Sequence, residues 1–344
     1  MQRKNESKKR VLVFYPKITL ANGGSSIHGY YLLKHLMKLG YIVRTAKNEV
    51  IEQNKVGGNL IIDIIKSDII YYRPYFNFFS NFLLKILSIF KKVVVELNGP
   101  PDELLIKGKS KAEVEIVDKR LKSSLKNVAH VIVVSDVLAE YCRKILFIEN
   151  ISTINNGGEV LRCDPNKISG FIKKDIESIK AKYKKIVIWS GTHYPWQGYE
   201  YIKQLVLSEK TASFAFIIIS DDYDVLKELQ NLPNVFLYSG LSRDDIAYLI
   251  TNSDIGCALY GDFSRTRTGF YNSPLKFHEY LVNGLGIIAS PYDYFVKYKN
   301  GNVLLSHEIE EMISFINNFD LKVSYSQRTW ETVAKETANI FESI

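Results

Sequence analysis

The chain has 344 residues, 46% of them hydrophobic, which suits two packed cores of ordinary domain size and argues against a disordered or fibrous protein. Its three cysteines, Cys142, Cys163 and Cys257, are odd in number and widely spaced, with no Cys-x-x-Cys pair or nearby histidine cluster. That pattern argues against a disulfide scaffold or structural zinc and fits a reduced, cytoplasmic protein. A net charge of +8 leaves nucleic acid, anionic lipid and phosphorylated ligands open as partners.

In chain order, the N-terminus is polar and basic, with Arg3, Lys4, Lys8, Lys9 and Arg10 against Glu6. The apolar run after it is too short for a signal peptide, and no later run reaches the ~20 residues needed to span a bilayer. The expectation is a soluble or peripheral protein whose basic tail is a candidate for contact with an anionic membrane. A first strand is expected at 11–15 and a helix at 27–39, ended by Gly40. The loop between them, Gly23-Gly24-Ser25-Ser26, lacks the Gly-x-Gly-x-x-Gly of dinucleotide sites. Its glycines still allow a ligand close to the backbone, and Ser25 or Ser26 can cap the helix.

Strands follow at 42–46, 69–72, 93–97, 131–134 and 152–154, with a further clear helix at 113–125. Within 74–90, Phe76, Phe79, Leu83, Ile86 and Phe90 fall on one helical stripe, which reads as core packing in preference to a membrane surface. The stretch Glu96-Leu97-Asn98-Gly99-Pro100-Pro101-Asp102-Glu103 ends a buried strand in polar side chains. Glu96, Asn98 or Asp102 could bind ligand hydroxyls or assist proton removal, and the sequence does not rank them.

The loop 155–159 ends this series and reads as the start of a hinge. After a polar stretch at 163–169, strands recur at 186–190, 214–220, 235–238, 255–259 and 286–289. Alternating strands and helices throughout indicate an α/β chain of two doubly wound lobes, in which ligands bind beyond the carboxyl ends of the strands. The loop 191–198 and the pair Asp221-Asp222 both follow such strands; the aspartates read as a helix cap in preference to a metal site. An amphipathic helix at 328–341 has no strand after it.

Residues 271–290 carry the strongest signal. Ser273 can cap a helix, Pro274 suits its first turn and Gly284 can end it. Phe277, Tyr280 and Leu281 then share an apolar face, while Ser273, Lys276, Glu279 and Asn283 run along another. A lysine in a first turn opposes the helix macrodipole unless an anion is there with it, and phosphate at a helix N-terminus would be such an anion.

Ser-Pro-Leu-Lys-x-x-Glu-Tyr followed by Asn-Gly and a short apolar strand resembles the donor-site segment of the family-4 retaining glycosyltransferases. Gly23-Gly24, the Glu96–Pro100 stretch and Gly191 with Trp196-Gln197-Gly198 fall where that family would place them. The resemblance implies the GT-B fold: α/β, two Rossmann-like doubly wound lobes facing across a cleft. It implies an acceptor-side domain over 1–160, a nucleotide-sugar domain over 161–325, and a C-terminal helix over 326–344 returning to the first domain.

By the same resemblance, the enzyme moves a sugar from a nucleotide diphosphate sugar to a hydroxyl of a glycan or lipid-linked glycan, with retention. It requires no metal or other cofactor and works in bacterial surface polysaccharide or glycoconjugate synthesis, on the inner face of the membrane. The donor would be held by Gly24, Gly191, Thr192, Gln197, Ser273, Pro274 and Leu275, with Lys276 and Glu279 as catalytic residues and Glu279 on the ribose. Glu96, Asn98 and Asp102 become acceptor-side candidates. Where many relatives carry an arginine and a lysine for the diphosphate, this chain has Thr192 and Gln197, so Lys276, Arg265 and Arg267 are the nearest substitutes. Tyr271 replaces the first of the family's two carboxylates. The set of strand-end loops favours a nucleotide sugar over nucleic acid. The alternatives are a nucleotide-sugar epimerase or hydrolase of the same fold, which would form product without an acceptor, and a non-catalytic sugar or nucleotide binder.

Overall fold

The computed structural model describes residues 9–15, 18, 24–47, 49–51, 54–191, 194–320 and 328–344. Arg3, Lys4, Lys8, Gly23, Thr192 and His193 therefore lie outside the described residues. The chain divides into two compact units, Met1–Gly157 with Ser264–Ser273 and Trp330–Ile344, and Gly158–Phe263 with Pro274–Thr329.

The first unit runs β1 (Arg10–Phe14), α1 (Gly24–Lys38), β2 (Ile42–Thr45), a short antiparallel pair β3 (Val50–Ile51) and β4 (Asn54–Lys55), then α2 (Leu60–Lys66) and β5 (Ile69–Tyr72). It continues through α3 (Phe78–Phe90), β6 (Lys92–Leu97), α4 (Glu103–Ile106), α5 (Lys111–Leu125), β7 (His130–Val133), α6 (Asp136–Tyr141) and β8 (Ile151–Thr153). The sheet order is β2-β1-β5-β6-β7-β8, with every pair parallel. Parallel strands covered on both faces need side chains that are apolar without alternation, and Ile69 to Tyr72 and Val93 to Val95 are all buried.

The second unit comprises α7 (Gly170–Lys182), β9 (Lys185–Ser190), α8 (Tyr199–Leu207), β10 (Phe214–Ile219), α9 (Tyr223–Leu229), β11 (Val235–Tyr238) and α10 (Arg243–Thr251). It ends with β12 (Ile255–Ala258), α11 (Leu275–Val282), β13 (Gly286–Ala289), α12 (Asp293–Val296), β14 (Val303–Leu305) and α13 (Ile309–Asn318). Its parallel sheet has the order β11-β10-β9-β12-β13-β14. Asp222 caps α9, its carboxylate accepting from the Asp224 N–H at 3.1 Å.

The last helix, α14 (Trp330–Ser343), belongs to the first unit and packs on α1. Trp330 and Phe341 are buried there, Trp330 meets the His28 ring edge-on at 4.8 Å, and Lys9 Nζ donates to the Phe341 carbonyl at 2.7 Å.

Two local expectations fail in this unit. Ser25 and Ser26 lie inside α1, which already begins at Gly24, so neither is its cap. The stripe expected to be buried on α3 is largely exposed, with Phe79 at 73% and Phe90 at 76% relative exposure. The helix instead buries Ser80, Asn81, Leu84, Leu87 and Ser88. The polar members are satisfied by hydrogen bonds: Ser80 Oγ accepts from the Tyr75 N–H at 2.9 Å, and Asn81 Oδ1 accepts from Ser124 Oγ at 3.2 Å. Small residues let α3 lie close against α5, and the phenylalanines are turned outward.

Candidate functional site

In the second unit, α11 is laid onto β12 through a glycine. A Cβ at Gly256 would stand 2.3 Å from the Tyr280 ring, so the buried face of Phe277, Tyr280 and Leu281 packs close to the sheet. Gly284, at φ +80°, ends the helix, and the Leu285 N–H returns to the Tyr280 carbonyl at 3.2 Å. The start differs from expectation. Pro274 occupies the cap position with no side-chain bond, and α11 begins at Leu275. Ser273 is no cap: it groups with the first unit, where its Oγ accepts from the Asn156 N–H at 2.8 Å.

Lys276 occupies the first turn. Its ammonium donates to Gln197 Oε1 at 3.1 Å and lies 5.2 Å from the centroid of the Trp189 ring and 5.4 Å from that of Tyr260. Among the described residues no carboxylate lies within ion-pair distance of it. Burial pushes its pKa down to about 7. Gln197 is held by the turn that ends at Gly198, where φ is +66° and a Cβ would stand 2.5 Å from the Leu259 carbonyl carbon; no other residue fits there. Gly191 donates its N–H to the Ile219 carbonyl at 3.1 Å, which fixes the start of the same loop.

Glu279, one turn further along α11, forms an ion pair with Arg243, and both side chains are largely buried. Sequence reasoning missed Arg243, although the signal was present. It follows the α10 cap Ser242, whose Oγ accepts from the Asp245 N–H at 3.1 Å, so it is another cation in a first turn.

In the first unit, Gly24 opens α1 and is exposed. At the carboxyl end of β6, Glu96 is 1% exposed and fully engaged. It accepts from Tyr15 Oη at 2.6 Å, Asn98 Nδ2 at 2.6 Å and the Tyr71 hydroxyl, with His28 Nε2 at 3.1 Å and Arg73 Nη1 at 3.7 Å. Burial alone would raise its pKa, but His28, Arg73 and the Tyr15 hydrogen bond hold it well below the usual carboxylate range. A group so firmly ionised is a poor proton acceptor at neutral pH, and its lone pairs are taken. Asn98 differs: its amide is oriented by Glu96, and its Oδ1 is buried with no hydrogen-bond partner.

Asp102 is also closed off. Fully buried, it accepts from the Arg267 N–H at 2.6 Å and from Arg267 Nε at 2.8 Å, and the same guanidinium reaches Asp118 Oδ2 at 2.8 Å. Asp102 thus pins the loop 264–273 and does not present its carboxylate to a ligand, while Arg267 is committed to two carboxylates and is not a spare cation for a diphosphate. Arg265 is exposed. Tyr271 is buried, with its pKa raised by burial and by its hydrogen bond to Glu103.

No family model and no curated protein matches the sequence. Solved structures do match over nearly the whole chain. The sucrose-phosphate synthase of Thermosynechococcus elongatus aligns with TM-score 0.67 at 12% identity, covering 98% of this chain and 99% of that one. Anabaena HepE, solved with UDP and glucose, aligns with TM-score 0.64 at 15% identity, covering 98% and 100%. The catalytic domain of Arabidopsis thaliana starch synthase IV, bound to ADP and acarbose, aligns with TM-score 0.65 at 9% identity, covering 98% and 99%. With its two parallel-sheet, Rossmann-like units, the chain has the fold of the GT-B glycosyltransferases.

Proposed function

We propose that the chain is a glycosyltransferase that moves a sugar from a nucleotide diphosphate sugar to a hydroxyl of a glycan or lipid-linked glycan, with retention of configuration. The observation that carries this reading is Lys276: a largely desolvated cation in the first turn of an uncapped helix, with a neutral amide and two rings around it. An anion there would meet the ammonium and the free N–H groups of Leu275 and Lys276 together, which is the stabilisation a departing diphosphate needs. In this reading Glu279, steadied by Arg243, takes the ribose hydroxyls, and Gly191 and Gln197 border the diphosphate. Asn98 Oδ1 accepts a sugar or acceptor hydroxyl. No metal is required, because the helix start and Lys276 supply the positive potential. The named activities of the structural neighbours support a sugar donor activated by a nucleotide; the pathway would be surface polysaccharide or glycoconjugate synthesis, with peripheral membrane contact.

A panel of uridine and guanosine diphosphate sugars, screened by thermal unfolding, tests the donor. A ligand at a hundred times its dissociation constant adds ~2.7 kcal/mol. Stabilisation by one base and sugar, and transfer product whose proton NMR shows the donor's anomeric configuration, are expected. Product with the opposite configuration would exclude retention, and product without any acceptor would exclude transfer.

A further inference from the structure

We propose that the outer face of α2 and α3 docks the protein on an anionic phospholipid bilayer. This deepens the peripheral-membrane part of the proposed function by naming its surface, and it rests on that reading only for its biological purpose. The two helices lie on the same side of the sheet, since Ile64 and Leu83 pack against the same core cluster. Their carboxyl ends are tied together, because Lys91 Nζ donates to the Ile65 carbonyl at 2.7 Å and to the Ser67 carbonyl at 2.9 Å.

From this pair of helices large apolar side chains project outward. Ile61 is 70% exposed, Ile65 67%, Phe78 68%, Phe79 73% and Phe90 76%. On α2 no residue at all is buried. Water contact at so many large apolar groups forfeits stabilisation that a contiguous apolar partner would restore, and patches of this kind mark interaction surfaces.

Charge selects the partner. Between Asp68 and Glu96 the sequence has no acidic residue, and apart from Arg73, whose guanidinium faces Glu96, its cations are Lys85, Lys91 and Lys92. Lys85 is exposed on α3 near Phe82 and Ile89, and Lys66 is exposed at the end of α2. Of the nearest acids, Asp68 is exposed and accepts from the Arg10 N–H at 2.7 Å, while one Asp63 carboxylate oxygen is buried. Two copies of this face in symmetric contact would set lysine near lysine, whereas an anionic lipid surface supplies both the negative charge and the apolar layer. The 13 residues of α3 make a helix ~20 Å long, too short to cross a hydrocarbon core of ~30 Å but suited to lying in the interface. Among the described residues no helix is long and apolar enough to cross a membrane.

Co-sedimentation of the full chain, without nucleotide or acceptor, with vesicles of phosphatidylcholine alone or an equal mixture with phosphatidylglycerol tests this independently of transferase activity. Binding at least ~10-fold stronger to the mixed vesicles is expected, weakening as salt is added. Phe79→Ser with Phe82→Ser, and separately Lys85→Glu, should each weaken it ~10-fold or more while leaving the urea midpoint unchanged. If the phenylalanine variant loses stability, Lys85→Glu decides. Absence of binding to either vesicle, binding indifferent to these substitutions, or a concentration-dependent dimer that the same substitutions dissociate would overturn the proposal.

Discussion

Glu96 in the first unit and Lys276 in the second are both ionic groups withdrawn from water near the carboxyl ends of their sheets, and the two are treated in opposite ways. Glu96 in the first unit is surrounded by two phenols, an amide, an imidazole and a guanidinium, so its charge is fully compensated within the fold. Lys276 in the second unit has one amide oxygen and two ring faces. The consequence appears in their protonation: compensation holds the Glu96 carboxyl ionised, whereas desolvation brings the Lys276 ammonium down to about 7. A buried charge that is already paired maintains a structure, and one left unpaired is poised for a ligand of opposite sign.

The largest effect that would break this comparison is on stability. Glu96→Gln leaves Arg73 without its carboxylate in a buried setting, and removing one partner of such a pair costs about 3–5 kcal/mol. Urea unfolding should show that loss at neutral pH. Because the Glu96 carboxyl lies below its ordinary 4.5 in the folded state, its contribution is present above that value and fades as the pH falls through its depressed folded value. The difference between native protein and variant should therefore shrink on acidification. A loss under ~1 kcal/mol would mean that the network is not a supporting one.

The second effect is on binding. Lys276→Met keeps an apolar stem against Trp189 and Tyr260 and removes the charge. At ~4 Å and an effective dielectric near 20 the attraction to a phosphate is ~4 kcal/mol before desolvation, of which about half survives. Calorimetry should find the nucleotide diphosphate weakened ~10- to 100-fold and the free nucleoside much less. Equal losses for both ligands would reduce Lys276 to a support of the fold. No loss would remove Lys276 from the diphosphate, and neither Arg267, held by Asp102 and Asp118, nor Arg243, paired with Glu279, is a free substitute.

How much of this was legible in the sequence follows from which terms are local. Strands such as Ile69–Tyr72 and Gly286–Ala289 stood out because a parallel strand buried on both faces must be apolar throughout. The first-turn lysine of α11 was equally visible, since dipole and sequence position are local quantities. Where the structure altered the expectation at Ser273, Asp102 and α3, the cause was a partner distant in sequence. Ser273 had the composition of a cap, but Asn156 took its hydroxyl. Asp102 looked like a free loop carboxylate until Arg267, 165 residues away, closed on it. On α3 the stripe of Phe79, Ile86 and Phe90 was expected to be buried, and the helix instead buries the face that carries Asn81, which is bonded to Ser124 on the neighbouring helix.

The smallest effect sharpens the comparison through pH, and it gives two slopes of opposite sign from one group. Below about 7 Lys276 is charged before any ligand arrives; above it, binding must draw a proton onto the ammonium. Affinity for a nucleotide diphosphate sugar, whose own phosphates do not titrate in this range, should then fall by up to ~10-fold per pH unit above neutrality. Calorimetry in two buffers of different ionisation enthalpy should register the proton taken up. Stability without ligand moves the other way. The folded Lys276 pKa is depressed from its ordinary 10.5, so the unfolded chain binds more protons between about 7 and 10.5, and the contribution of this group to stability rises with pH across that window. Lys276→Met should flatten both slopes together. If the affinity profile is flat in the native protein, the ammonium is already charged before binding, and desolvation is not what prepares this helix start for an anion.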